Sequence, residues 1–190
     1  MKHIILWVFV LIAMPLSSQK PVWEWARTTG GPGKSFFNGV NASPDGYIYV
    51  TGGYGDGFIT FGADTLQPCG VQWADVFLAK INSSGNVLWV KTFCGYGHEF
   101  GNQLAFDKGG NLYLTGVFAS PYLVFGSDTL INLPGTSSPD YGYQFIVKLD
   151  SAGNYQWGKV IGGMRLMGYY IDVAEDHEDN LLVSGIFSTP

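Results

Sequence analysis

The sequence repeats itself at a spacing of 64 to 69 residues, and this repetition is the strongest constraint on its fold. DVFLAKINSSGNVLW at residues 75–89 matches YQFIVKLDSAGNYQW at 143–157, with an offset of 68. GYIYVTG at 46–52 matches GNLYLTG at 110–116 and DNLLVSG at 179–185. A period of this length indicates one supersecondary unit that is used several times along the chain.

Each unit contains four short runs of β-forming residues that are separated by turns rich in Gly, Asn, Asp and Ser. In the best example the runs are 87–93, 102–107, 112–118 and 144–149. An insert carries FGADTL or FGSDTL, which predicts an extra hairpin or loop in each repeat. Four short strands at even spacing are typical of a propeller blade. We therefore predict an all-β partial β-propeller of about two and a half blades, with repeats at about 22–86, 87–154 and 155–190.

The composition agrees with an all-β fold and narrows the classes of partner. Hydrophobic residues make up 46% of the chain and charged residues 13%, with 27 glycines. This much apolar content excludes intrinsic disorder, and the shortage of charge disfavours long surface helices. The net charge of −5 leaves no broad basic surface for phosphates, so nucleic acid is not an expected partner.

The first nineteen residues have the pattern of a secretory signal peptide. A short basic segment with Lys2 precedes an apolar run at 4–14, and a polar stretch at 15–19 follows. The apolar run is shorter than the roughly 20 residues that a membrane span requires. The pattern predicts a secreted or cell-surface protein with no membrane span after cleavage, and an uncleaved N-terminal anchor is the alternative.

Several residues recur at the same position of each repeat, and recurrence of this kind predicts a structural role. The tryptophans are expected to pack between blades, and the glycines and asparagines to shape strands and turns. These repeat-structural residues are Trp25, Trp89, Trp157, Gly52, Gly116, Gly185, Asn86 and Asn154.

The repeat resembles the SBBP-type β-propeller repeats of secreted bacterial proteins, particularly those of Bacteroidetes. The resemblance implies a propeller architecture and leaves the ligand undefined. Two positions depart from the pattern: Tyr143 stands where the first unit has Asp75, and Asp179 stands where the others have glycine. The matching residues are Asp75, Phe77, Lys80, Gly85, Asn86 and Trp89, then Gly110, Asn111, Tyr113, Thr115 and Gly116, then Phe125 and Gly126.

The two cysteines, Cys69 and Cys94, have two possible states. Export would permit a disulfide between them across 25 residues. However, Cys94 occupies a repeat position that Gly30 and Gly162 fill elsewhere, and Cys69 lies in the variable insert. The sequence therefore leaves open a disulfide or two free thiols.

No catalytic, cofactor-binding or metal-binding constellation stands out in the sequence. His98 and His177 lie in different turns, and neither has a local acid or ligand set that suits a triad or zinc. Acidic residues around 172–179 lack the spacing of a calcium loop. Unrepeated aromatics are the better candidates for a ligand surface, namely Tyr54, Phe58, Tyr96, Tyr122, Tyr141, Trp23 and Trp73.

The predicted function is a non-catalytic scaffold that binds a protein or a glycan. Propellers close with typically four to eight blades, so the chain is expected to be the N-terminal fragment of a longer protein, and self-assembly of partial rings is the alternative. The remaining blades are then partners, and the Trp25 run would complete the last of them. An alternative function is a propeller enzyme, quinoprotein-like or glycan-cleaving, with catalytic residues in the missing blades.

Overall fold

A computed structural model describes residues 23–70, 74–132, 141–165, 171–176, 178 and 180–185, and the predicted signal peptide lies outside these ranges. Every regular element in them is a β-strand. The strands are β1 (Lys34–Ala42), β2 (Ile48–Gly55), β3 (Ile59–Phe61), β4 (Asp64–Leu66), β5 (Ala74–Ile81), β6 (Val87–Phe93), β7 (Glu99–Phe106), β8 (Leu112–Phe118), β9 (Tyr122–Phe125), β10 (Asp128–Ile131), β11 (Tyr141–Leu149), β12 (Tyr155–Arg165), β13 (Ile171–Glu175) and β14 (Leu181–Gly185).

The strands form two complete antiparallel sheets of four strands. Blade 1 has the order β1-β2-β5-β6, and blade 2 has the order β7-β8-β11-β12. Strands β13 and β14 pair as a third unit, and the predicted inserts form the hairpins β3–β4 and β9–β10. Strand β7 contacts both β1 and β13, so the first strands of successive units lie side by side. The fold is all-β and has the architecture of a partial propeller, as the repeat predicts.

The sheets are offset by one strand from the predicted repeat boundaries. The run that carries Trp89 is the last strand of blade 1 and does not open blade 2, because β6 pairs with β5. The sheets therefore span 34–93 and 99–165 instead of beginning at 22 and 87. The physical reason is the tight turn at 82–86, where Gly85 N donates to Asn82 O at 2.9 Å and folds β6 back onto β5.

A side chain at the start of each hairpin turn holds the turn closed. Asp150 accepts hydrogen bonds from the backbone N of Asn154 at 2.8 Å and from Asn154 Nδ2 at 2.9 Å. Asn82 accepts one from Asn86 N at 2.9 Å. Gly153 has a φ of 75°, a conformation that glycine adopts without strain. The Gly-Asn pairs at 85–86 and 153–154 are thus built into the turns that join the third and fourth strands of each blade.

The main hydrophobic core lies between the two complete blades. Tyr49 and Leu78 of blade 1 are buried against Leu112 and Phe145 of blade 2. A second, smaller cluster joins blade 2 to the third unit through residues such as Tyr113 and Val173. A third cluster lies on the other face of blade 1, where the blade's own β3–β4 hairpin buries Phe77. The faces between successive units are buried by stacking, which is the general behaviour of repeat proteins.

The repeated glycines on the second strand of each unit lie where two strands approach closely. A Cβ atom on Gly52 would overlap the carbonyl oxygen of Phe36, and one on Gly116 would overlap that of Phe100. Gly185 occupies the matching position and pairs with Ile171. Both complete blades have an irregularity in the strand pairing beside this glycine. The absence of a side chain therefore lets the first strand bend at this point.

Candidate functional site

The outer strand of blade 1 is anchored on a turn of blade 2. The indole of Trp89 covers Gly153, where an added Cβ would lie 2.9 Å from Trp89 Cη2. Two residues further along β6, Lys91 Nζ donates to Asn154 Oδ1 at 3.1 Å. We call this pair of contacts, from an outer strand to the Gly-Asn turn of the following blade, the inter-blade anchor.

The segment before blade 1 makes the same anchor with blade 1 itself. Trp25 covers Gly85, where an added Cβ would lie 2.8 Å from Trp25 Cδ2. Arg27 Nε donates to Gly85 O at 2.9 Å, and its Nη2 lies 3.5 Å from Asn86 Oδ1. The likeness continues beyond the turn, because Gly30 forms a bridge with Thr60 as Cys94 does with Val124. Residues 25–30 thus occupy the position of an outer strand from a preceding blade.

The repeated lysine contacts the following blade in one unit and its own blade in the other. Lys80 Nζ lies 4.0 Å from the centre of the Tyr47 ring and 3.4 Å from Ser151 O of blade 2. Tyr49 donates its hydroxyl to the same carbonyl at 3.0 Å. In blade 2, Lys148 Nζ forms an ion pair with Asp107 at 2.7 Å. These contacts with an aromatic ring, a carbonyl oxygen and a carboxylate give both lysines a structural role.

The three tryptophans lie at the outer edge of the blades and are absent from the fully buried core. Trp25 and Trp89 are half-buried, and Trp157 is 38% exposed, with its ring 6.0 Å from that of Tyr113. Trp89 packs edge-on against Tyr49 of its own blade, at 5.8 Å between ring centroids, and reaches a turn of blade 2. Trp25 contacts a turn of blade 1. A turn that would cover Trp157 is not among the described residues.

A groove of about 1110 Å³ runs along the edge where the first strands of the three units meet. Its apolar part includes Phe36, which is 42% exposed and packs edge-on against Phe100 at 5.8 Å between ring centroids. Asn38, Gln103 and Asp172 of the third unit line the same groove. This groove cannot be predicted from the sequence, because it forms only where strands from three repeats lie side by side.

The unrepeated aromatics divide into buried and exposed residues. Tyr54 was expected near a ligand surface, but it is fully buried and donates its hydroxyl to Gln67 O at 2.9 Å. Tyr54 has a repeat counterpart, Phe118, that is also fully buried. Tyr96 is 70% exposed and packs edge-on against Tyr122. Trp23 and Phe58 are exposed, whereas Trp73 and the side chain of Tyr141 lie outside the described residues.

Cys69 and Cys94 form a disulfide, with their Cα atoms 5.7 Å apart. It ties the connection after β4 to the end of β6. Asp75, at the start of β5, is 4% exposed and accepts a hydrogen bond from Cys69 N at 2.7 Å. Burial raises the pKa of the Asp75 carboxyl. The carboxylate and both sulfurs lie within 4.8 Å of one another.

A second carboxyl, that of Glu99 at the start of β7, is completely buried. Burial raises its pKa to about 7, and the charge of Asp75 adds to this shift. Gly97 N and Ser120 N donate to it at 3.1 and 3.2 Å, as does the Ser120 hydroxyl. Sequence reasoning missed Glu99, although one signal exists: the matching position of the first repeat is Ser35.

The remaining candidates from the sequence are the two histidines and the acidic residues around 172–179. His98 lines the groove, and burial lowers the pKa of its imidazole. In the third unit the Asp176 carboxylate accepts bonds from the backbone N of Glu178 and of Asn180, which makes it a turn residue. His177 and Asp179 lie outside the described residues. Over the described ranges there is also no helix of the length and apolarity that crossing a bilayer requires.

No family model matches the chain. One similar protein is an uncharacterized WD repeat-containing protein of Acanthamoeba polyphaga mimivirus, with 27% identity over 162 residues. The alignment covers 78% of this chain but only 11% of that much longer protein. A similarity to a repeat protein of this class agrees with the stacked four-stranded sheets seen here. The chain is an all-β repeat protein with the fold of a partial β-propeller.

Proposed function

We propose that the chain is part of a non-catalytic propeller scaffold that binds an extended segment of another protein in the groove between its first strands. The repeats are of the SBBP type in this proposal, which rests on the D-x-F, G-N-x-x-W and G-N-x-Y-x-T-G motifs quoted above. The observation that carries the binding function is the groove itself. Residues of three consecutive units line it.

The chemistry of the groove favours an extended peptide. Phe36 and Phe100 offer aromatic surface for an apolar side chain. The Gln103 amide can pair with peptide groups, which present one donor and one acceptor per residue. Asn38 Nδ2 already donates to Gly101 O at 3.0 Å and gives the groove a fixed polar wall. At the rim, Lys34 Nζ and Asp56 lie 2.7 Å apart and are exposed, so both signs of charge are present. Peptide recognition along strand edges uses this combination of backbone pairing and side-chain pockets.

Substituting Phe36→Ala tests the groove as the binding site. Peptides enriched from a displayed random library on the wild-type chain are expected to bind the variant about ten-fold more weakly, as removal of a central aromatic residue usually does. Affinities are measured by isothermal titration calorimetry with synthetic peptides. Ile131→Ala is the matched control, since Ile131 is 66% exposed and lies on the β9–β10 hairpin. Equal affinity of wild type and Phe36→Ala contradicts the proposal, and so does saturable binding of oligosaccharides alone.

We also propose that a further blade of the same repeat type covers blade 1. We call the side of blade 1 that bears Phe37, Val40 and Val50 its rear face. The β3–β4 hairpin covers the part of this face around Phe77 and leaves Val40 outside the buried cluster. Val40 is 68% exposed, whereas Leu104, at the matching position of blade 2, is 3% exposed because blade 1 covers it. The anchor formed by Trp25 supports this proposal, since it places an outer strand where such a blade would have one.

The rear face should make the chain self-associate when no further blade is supplied. For the chain without residues 1–19, the sedimentation coefficient is expected to rise with protein concentration, because the exposed apolar faces of two chains associate. Val40→Asp should reduce this rise, because association would then have to remove water from a charged carboxylate in the contact. Ile131→Asp is the control, with a similar exposed fraction on a hairpin outside the rear face. A wild-type chain that stays monomeric, or equal effects of the two variants, contradicts the proposal.

We further propose that the protein is exported. The signal-peptide pattern at 1–19 supports this location, and a disulfide such as Cys69–Cys94 is stable in oxidising compartments. The N-terminal sequence of the protein isolated from its host is then expected to begin just after Ser18 or Gln19. Recovery of the chain from the cytoplasm with residues 1–19 intact contradicts export.

A further inference from the structure

We infer that Cys69, Asp75 and Cys94 form a metal site for a thiophilic divalent cation, Zn²⁺ or Cd²⁺, when the disulfide is reduced. Their three ligand atoms lie within 4.8 Å of one another. In the oxidised chain the two sulfurs are bonded to each other, so the disulfide and the metal exclude one another. The inference concerns a different part of the molecule from the groove and does not depend on the proposed function.

The position of the three residues in the repeat supports a role beyond packing. Most positions of the repeat recur, and the contacts above explain them as packing and turn residues. These three do not recur: Tyr143 matches Asp75, Gly30 and Gly162 match Cys94, and Cys69 lies in the insert. Residues that break the repeat in three separate places nevertheless converge on one point of the fold.

Hydrogen bonds also hold the three ligand residues in place, in addition to the sulfur–sulfur bond. Asp75 begins β5, and its carboxylate is held by the backbone N of Cys69 at 2.7 Å. Cys94 follows β6 and is fixed by two backbone hydrogen bonds with Val124, at 2.9 and 3.3 Å. Strands β5 and β6 are adjacent in the sheet of blade 1. Asp75 therefore lies on β5 and Cys94 directly follows the paired strand β6, and Cys69 is tied to Asp75 through its own backbone.

The donor set matches the preferences of zinc and cadmium. Two thiolates and one carboxylate supply soft and hard donors with a charge of −3, which a divalent cation largely compensates. Thiolate ligands select zinc and related metals over calcium or magnesium. Zinc is commonly tetrahedral with Zn–S bonds of about 2.3 Å, and with three protein ligands water takes the fourth position.

Reduction of the disulfide and binding of the metal need no other group of the protein. A trialkylphosphine attacks the disulfide, and the phosphorus is oxidised to phosphine oxide with oxygen from water. The disulfide gains two electrons and two protons and becomes two thiols. The cation then replaces both thiol protons, which are released to solvent, and binds the two thiolates and the Asp75 carboxylate.

The test is a cadmium titration of the folded chain, monitored by the ultraviolet thiolate-to-cadmium charge-transfer absorption. After reduction with a trialkylphosphine under nitrogen, we expect saturation at one Cd²⁺ per chain, and before reduction no such absorption. A rise in the thermal midpoint of the reduced chain on addition of Zn²⁺ is the second readout, because a metal that binds only the folded state stabilises it. Saturable absorption without reduction, or none after both thiols titrate as free, overturns the inference.

Two variants and one control locate the site. Cys69→Ser removes an exposed thiolate and should abolish the saturable absorption. Asp75→Asn retains both thiols and should weaken Cd²⁺ binding about ten-fold through loss of one charged ligand. Asp64→Asn alters an exposed carboxyl on β4 and should leave binding unchanged. Near-ultraviolet circular dichroism verifies that each protein is folded. Wild-type affinity in folded Cys69→Ser or Asp75→Asn excludes these three residues as the ligand set.

Discussion

The structure depends on the docking of each blade against the next. A four-stranded sheet of this kind has two apolar faces, and the insert hairpin of blade 1 covers only part of one of them. Blade 1 covers Leu104 and Phe145 of blade 2, and blade 2 in turn presents Tyr113 to the third unit. The inter-blade anchor fixes the outer edge of this contact, because a tryptophan and a cation from one strand bind the Gly-Asn turn of the following blade.

Much of the fold follows from the repeat alone, but the position of the blade boundary does not. A repeating unit can be cut at any point with the same period, so the sequence shows that Trp89 recurs without showing which sheet it joins. The turn at 82–86 decides the matter by folding β6 onto β5. The prediction that Tyr54 lies near a ligand surface is wrong for a related reason. Its counterpart Phe118 is also fully buried but is a different residue type, so Tyr54 does not look like a repeated position.

The candidate sites are less visible in the sequence because they depend on contacts between distant residues. Neither the groove beside Phe36 nor the contact between Asp75 and Cys69 can be read from spacing along the chain. What the sequence does contain is the difference between positions that repeat and positions that do not. The packing residues repeat, whereas Cys69, Asp75, Cys94 and Glu99 differ from their counterparts or have none. In a repeat protein, such departures are the places to look for chemistry.

The most direct test of the docking is a nuclear Overhauser measurement on the isotopically labelled chain. The account predicts cross-peaks between the Hη2 proton of Trp89 and the α protons of Gly153, which belong to different blades and lie 64 residues apart. It predicts a matching set between the indole of Trp25 and Gly85. Cross-peaks that link Trp89 only to its own sheet, with none to Gly153, would contradict the account.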